Sequence, residues 1–239
     1  MEGKIDRLYV ISHTGKRRLK SLRFRYLSKS ILANCKGDGN SFEYINFRGA
    51  HFSRSSFKES FFKGCDFWGT TFKKCKFNNA LFEDCVFQGC RFKNCDFSGA
   101  QVRYSCIVNT NTEECRDLNI DDSTLVLKKY PEVDIQKSLL TPLERQKENK
   151  YLRKTKVLWI SDKRLNYLNL FLLLRKYSSE QIEAYLSQIN NRKARLLTTY
   201  GSLNSGLRKY VKSSIITKSR PTQSRGCDAN GLGFKDWGL

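Results

Sequence analysis

From Phe42 onward an apolar residue returns at every fifth position. The series runs Phe42, Phe47, Phe52, Phe57, Phe62, Phe67, Phe72, Phe77, Phe82, Phe87, Phe92 and Phe97, and Val102 and Ile107 keep its phase. Two places before most of these stands a small side chain: Ala50, Ser55, Ser60, Cys65, Thr70, Cys75, Ala80, Cys85, Cys90, Cys95, Ala100 and Ser105. In extended chain, residues two apart face the same side, so the small residue and the Phe share one interior. Five is an odd period, and a straight strand would send successive Phe rings to opposite faces. All of them can point inward only if the chain turns a corner in every repeat. Gly49, Gly64, Gly69, Gly89 and Gly99 each follow a Phe by two residues, where a residue tolerant of positive φ suits a corner.

The quintets Cys65-Asp66-Phe67-Trp68-Gly69 and Cys95-Asp96-Phe97-Ser98-Gly99 closely resemble the pentapeptide-repeat family, whose consensus reads Ala-(Asp/Asn)-Leu/Phe-X-X. The resemblance covers roughly residues 40 to 109. It implies an all-β right-handed quadrilateral β-helix with four repeats per coil, in which positions twenty apart stack. The repeat length predicts about three and a half coils. Ile45 departs from the small-residue rule, and the phase breaks at Gly37 and after Ile107. Ser123 and Leu125 suggest one late coil after an insertion.

The segments around the repeat differ in character. Residues 1–40 form a basic N-terminal cap, with Lys16-Arg17-Arg18-Leu19-Lys20, Arg23 and Arg25. Leu22, Phe24 and Tyr26 alternate as in a strand, and Leu19, Leu22 and Tyr26 also fit a helix. The β-helix is assigned to 41–130, a C-terminal basic α-helical region to 131–212, and a flexible polar tail to 213–239. Within the helical region Thr141-Pro142-Leu143-Glu144 reads as a helix start. Leu165, Leu168 and Leu172 with Tyr167, Phe171 and Leu174 give an apolar face. Ser178-Ser179-Glu180-Gln181 is a second capping signal before Ile182, Tyr185, Leu186 and Ile189.

Charge then narrows the partners. Lys and Arg number 44 against 23 Asp and Glu, for a formal charge of +21. Such an excess suits an acidic partner: nucleic acid, an acidic protein or an anionic membrane, the last ranked behind the others. Over half of the net charge falls between residues 142 and 218. Stacking by twenty gathers Arg54, Lys73, Lys74, Arg91 and Lys93 on one face beside His51 and Thr71, a ladder suited to a phosphate backbone or to solvent. In the helical region Lys147, Lys150, Arg153, Lys154 and Lys156, near Tyr151 and Trp159, and then Arg192, Lys193 and Arg195, form further basic clusters.

Outward apolar residues mark partner-binding candidates. Phe61 lies above Leu81, flanked by Tyr44 and Tyr104, and Trp68 and Val86 occupy the next face. Such a patch is covered either by the protein's own terminal segments or by a foreign partner. Phe234 and Trp237 near the C-terminus form a candidate docking motif. Cys65, Cys75, Cys85, Cys90 and Cys95 recur at multiples of five on the inward small position, so they read as core residues and no metal is expected. Cys35, Cys106, Cys115 and Cys227 have no metal spacing. His13 and His51 sit in no catalytic motif, so no enzyme activity and no cofactor are expected. The start of the chain lacks an apolar leader and the longest apolar run, near Leu168 to Leu174, is too short to span a bilayer; a reducing, cytoplasmic setting is the expectation.

The functional expectation is a non-enzymatic adapter: the β-helix docks a protein partner, and basic regions engage nucleic acid or a nucleoprotein complex. Dimerisation stays open. The family resemblance implies an alternative, since some members bind DNA gyrase by imitating duplex DNA. That mimicry needs an acidic surface, whereas the repeat segment here is net positive. A secreted effector or anionic-membrane-binding protein is the third reading.

Overall fold

The inward turn of every repeat is visible in the structure, a computed structural model that describes residues 9–11 and 17–218. All twelve Phe side chains of the series are buried. They form four columns in which rings one coil apart stack with centroids 4.8 to 5.6 Å apart. Rings of adjacent columns meet edge to face, the geometry that their quadrupoles favour. The chain is thus a right-handed, square-sectioned β-helix with a helical region at its C-terminal side.

Four walls of parallel strands follow in chain order. The first carries Leu22, Phe42, Phe62, Phe82 and Val102 at its centre, in direct register. The second carries Leu27, Phe47, Phe67, Phe87 and Ile107, the third Leu32, Phe52, Phe72 and Phe92, and the fourth Phe57, Phe77 and Phe97. The corner glycines hold φ between 57° and 72° at Gly49, Gly64, Gly69, Gly89 and Gly99. Asn34, Asn79, Asn94 and Asn109 take the same left-handed conformation elsewhere, as short polar residues do most readily among the non-glycines. At the consensus Asp/Asn position, Asn46, Asp66 and Asp96 accept the backbone N–H two residues on, which closes the corner as an Asx turn.

The ends of the β-helix differ from the sequence reading. The repeat does not break at Gly37 or begin at residue 41. Leu22, Leu27 and Leu32 continue the phase upstream, and Tyr9–Ile11 lies one coil above Ile31–Ala33 and pairs with it. Gly37 occupies an inward Phe position whose space the neighbouring rings fill. A Cβ there would lie 2.7 Å from Phe57 Cδ1 and 3.2 Å from Phe42 Cζ. The first-wall sheet therefore reaches six strands, more than three and a half coils would give. Downstream, Val102 pairs with Ile120 and Ile107 with Val126, so the last coil is shortened. Thr124, not Ser123, takes the inward small position and donates to Val102 O at 3.0 Å.

Several of the inward small residues share one hydrogen-bond pattern, donating to a carbonyl on the coil above. Ser60 Oγ reaches Gly37 O at 2.7 Å and Thr70 Oγ1 reaches Phe47 O at 2.9 Å. Cys65, Cys85 and Cys90 donate from sulfur to Phe42, Phe62 and Phe67 O at 3.2, 3.4 and 2.8 Å. Cysteine here replaces a hydroxyl in a buried ladder, and among the described residues no three His, Cys, Asp or Glu side chains converge as a metal set. Burial pushes the Cys85 and Cys90 thiols well up and Cys115 up to about 12, which keeps them in the unreactive thiol form. Alkylation of the native protein at pH 8 should leave Cys85, Cys90 and Cys115 unmodified until the chain unfolds. Peptide mass spectrometry showing rapid native labelling of those three would contradict their placement.

The helical region contains α1 (Lys137–Lys147), α2 (Lys150–Thr155), α3 (Tyr167–Leu174), α4 (Ser179–Ser187), α5 (Asn191–Ala194) and α6 (Tyr200–Lys218). Helix α1 starts before Thr141, and Pro142 lies inside it. Fully buried Leu139 and Leu143, one turn apart on one face, hold the helix through the proline. Ser178 does cap α4, accepting from Gln181 N while the Gln181 side chain accepts from Ser178 N. Leu165 leaves the expected helix for a hairpin with Trp159. Residues 213–218 are helical rather than part of a flexible tail. Val86, Cys106 and Val108 of the second wall share a core with Leu139, Leu143, Leu158, Leu186 and Leu203, so the helices pack on that wall.

Candidate nucleic-acid interface

The third wall faces solvent. His51, Thr71 and Arg91 are directly paired across its rungs, as are Ser53, Lys73 and Lys93. Arg54 and Lys74 stand on the corner that follows. All five cations are exposed, and strands lie about 4.8 Å apart in the pairing direction. No Asp or Glu occurs at positions 30–34, 50–54, 70–74 or 90–94. Glu113 and Glu114, both exposed, close the lower end below Arg91, which pairs with Asn111. The structure thus brings together the five residues that the twenty-residue spacing had grouped.

The helical clusters also converge. Arg195, just after α5, donates from Nε to Tyr151 Oη at 2.9 Å and lays its guanidinium 5.1 Å from the centre of that ring. Lys150 Nζ lies 5.4 Å from the same ring. The α2 and α5 segments are therefore one basic surface built around Tyr151, with Arg192 and Lys193 exposed on it. Arg153 makes long contacts to Glu148 and Asp162, both 3.7 Å. Lys154 Nζ reaches the face of Tyr26 on the β-helix, 5.3 Å from its centre, and Lys156 is exposed at the C-cap of α2.

The apolar candidates separate. Phe61 and Leu81 are paired on the first wall, half-buried, with Lys63 Nζ 5.8 Å from the Phe61 ring. Tyr104 beside them is 60% exposed, but Tyr44 is buried and stacks on Phe24 at 4.9 Å. Val86 is 3% exposed, covered by the protein's own helices, and is thereby removed as a partner-binding residue. Trp68 is half-buried. Phe234, Trp237, His13 and Cys227 lie outside the described residues.

The junction between β-helix and helices holds groups that sequence reasoning missed. Asn46 Nδ2 donates to Thr155 O at 3.1 Å and Thr198 O at 2.9 Å. Thr198 and Thr199 donate to Tyr44 O and Gly64 O, both at 2.6 Å. Arg48 Nε donates to Asp66 Oδ2 at 2.7 Å, and Arg48 Nη1 to Lys156 O at 3.2 Å. The pair is buried, and the guanidinium lies 4.6 Å from the centre of Trp68. The only signal available in the sequence was polar residues at outward positions of an otherwise ordinary repeat.

Residues 30–112 match the family model described as Pentapeptide repeat region. Similar solved structures include a pentapeptide repeat protein (Rfr23) from the cyanobacterium Cyanothece 51142, 17% identical, with 42% of this chain and 63% of that chain covered and a TM-score of 0.19. The match thus spans less than two thirds of that protein. A pentapeptide repeat protein of the Arabidopsis thaliana thylakoid lumen is 15% identical over 65% of this chain and 88% of that one, with a TM-score of 0.28. QnrB1, a plasmid-mediated fluoroquinolone resistance protein, is 15% identical over 49% and 69%, with a TM-score of 0.25. No curated protein matches the chain. With its five-residue phase and four stacked walls, the segment matched by that family model, residues 30–112, is a pentapeptide-repeat β-helix.

Proposed function

We propose that this protein is a non-enzymatic binding scaffold whose third wall and α2–α5 surface grip the phosphate backbone of a nucleic acid. The observation that carries the reading is the third wall itself: five exposed cations, with Lys73, Arg91 and Lys93 on registered rungs, Arg54 and Lys74 on the corner that follows, and no carboxylate among them. Such a surface carries its charges on a rigid support, so little backbone ordering is needed on contact. Phosphate contacts of this kind position a nucleic acid without reading its sequence. The first-wall patch of Phe61 and Leu81 is assigned to a protein partner, which makes the molecule an adapter.

Charge reversal tests this better than removal of the helices. Cutting at Thr141 would expose Val86, Cys106 and Val108, which the helices bury. Lys73→Glu combined with Lys93→Glu should weaken binding to a 20-base-pair duplex at low salt by at least about tenfold, by loss of two contacts and added repulsion. Unchanged affinity would overturn the reading. Loss of binding to phosphatidylserine vesicles in the same variant, with no duplex bound by the unaltered protein, would assign the surface to lipid instead.

A further inference from the structure

The two cationic surfaces meet at a cleft of about 420 Å³, between the corner that precedes the third wall and the end of α2. Its wall on the β-helix side carries Tyr26, Lys29, Arg48 and Trp68; its helical side carries Lys156 and Ile160. The charge inside is arranged in a specific way. Arg48, the deepest cation, is neutralised by Asp66 and stacked on Trp68. Lys29 and Lys156 stand exposed at the rim, and no carboxylate lines the cleft among the described residues. Trp68, half-buried with Arg48 on one face of its ring, is among the residues that line the cleft.

We infer that this cleft receives an unpaired base of a single-stranded nucleic acid, stacked at Trp68 with its flanking phosphates on Lys29 and Lys156. A duplex keeps its bases inside the stack and cannot offer one to a recessed indole, whereas a single strand can splay a base outward. The rim cations continue the third wall on one side, where the Lys29, Gly49 and Gly69 corners lead into its strands, and helix α2 (Lys150–Thr155) on the other. A strand that follows the phosphate track therefore crosses the cleft. The inference rests on the nucleic-acid reading above and adds strand selectivity to it.

The test compares oligo(deoxythymidine), oligo(uridine) and a duplex of equal length on the full chain at one salt concentration. Single strands should bind at least as tightly as duplex. Trp68→Ala should weaken single-strand binding about tenfold, the scale of one base–aromatic stack, and leave duplex binding unchanged. Trp68→Phe should retain most of the affinity. Lys29→Glu should weaken single-strand binding several-fold. Glu59 already holds a corner at φ 55°, so this change is compatible with the backbone and carries the test if Trp68→Ala unfolds. Equal weakening of both ligands by Trp68→Ala, or no effect of either Trp68→Ala or Lys29→Glu, would overturn the inference and leave the duplex reading standing. Preference for duplex in the unaltered protein would do the same. Failure to bind any of the three ligands would remove both. The deoxyribo and ribo arms separate DNA from RNA.

Discussion

Asp66→Ala should destabilise the protein by about 3–5 kcal/mol, read as a fall in the denaturant midpoint. The Asp66 side chain is 2% exposed and that of Arg48 10%. Removing the carboxylate would leave a guanidinium held only by the Lys156 carbonyl and the face of Trp68. It would also open the Asx turn to Trp68 N. The asymmetry of buried ion pairs sharpens the prediction: replacing both partners by apolar residues, Arg48→Met with Asp66→Leu, should cost less than Asp66→Ala alone. Equal or greater loss in the double variant would mean that the pair contributes more than it costs to desolvate.

Gly201→Ala should have an effect of similar size by a different route, detaching α6 from the second wall. The α6 start lies directly on the backbone of Gly64. A Cβ on Gly201 would meet Gly64 Cα and stand 2.8 Å from Gly64 O. Backbone atoms cannot rotate away as a side chain can, so relief requires separation of the two elements, at about 3 kcal/mol or more. The hydrogen bonds of Thr198 and Thr199 to Tyr44 O and Gly64 O would break with it. Gly206→Ala is the internal control, because its new Cβ meets the end of the Tyr185 side chain, which can shift. Hydrogen exchange should show lost protection in α6 for Gly201→Ala and near-native protection for Gly206→Ala. Native protection in both would contradict the close approach.

The β-helix was legible because one rule repeats. A ring every fifth residue, a small residue two before it and glycine two after it specify inward, inward and corner, and the structure follows them through the walls. Legibility failed where the rule was satisfied by a different residue type. Leu22, Leu27 and Leu32 keep the phase without an aromatic ring, and Gly37 leaves a Phe position empty because Phe57 fills it. The third-wall cations followed from spacing alone, since stacking by twenty is a property of the coil. The convergence of Lys150 and Arg195 on Tyr151 was not readable, because it depends on how α2 and α5 pack. The same holds for the cleft: Trp68 stood out as an outward apolar residue with Arg48 twenty positions before it, but its Lys156 neighbour comes from the helical region. Pro142 shows the opposite failure, a local helix-start signal overridden by burial of Leu139 and Leu143.

The claim that the surface engages a polyanion through fixed cations is tested most directly by the salt dependence of duplex binding. Each neutralised phosphate contributes a slope of about −0.9 to the logarithm of affinity against the logarithm of salt, so the five third-wall cations predict a slope of roughly −3 to −5. Lys73→Glu with Lys93→Glu should make that slope shallower by about two. A slope near zero in the unaltered protein, or one that the double variant leaves unchanged, would contradict the account.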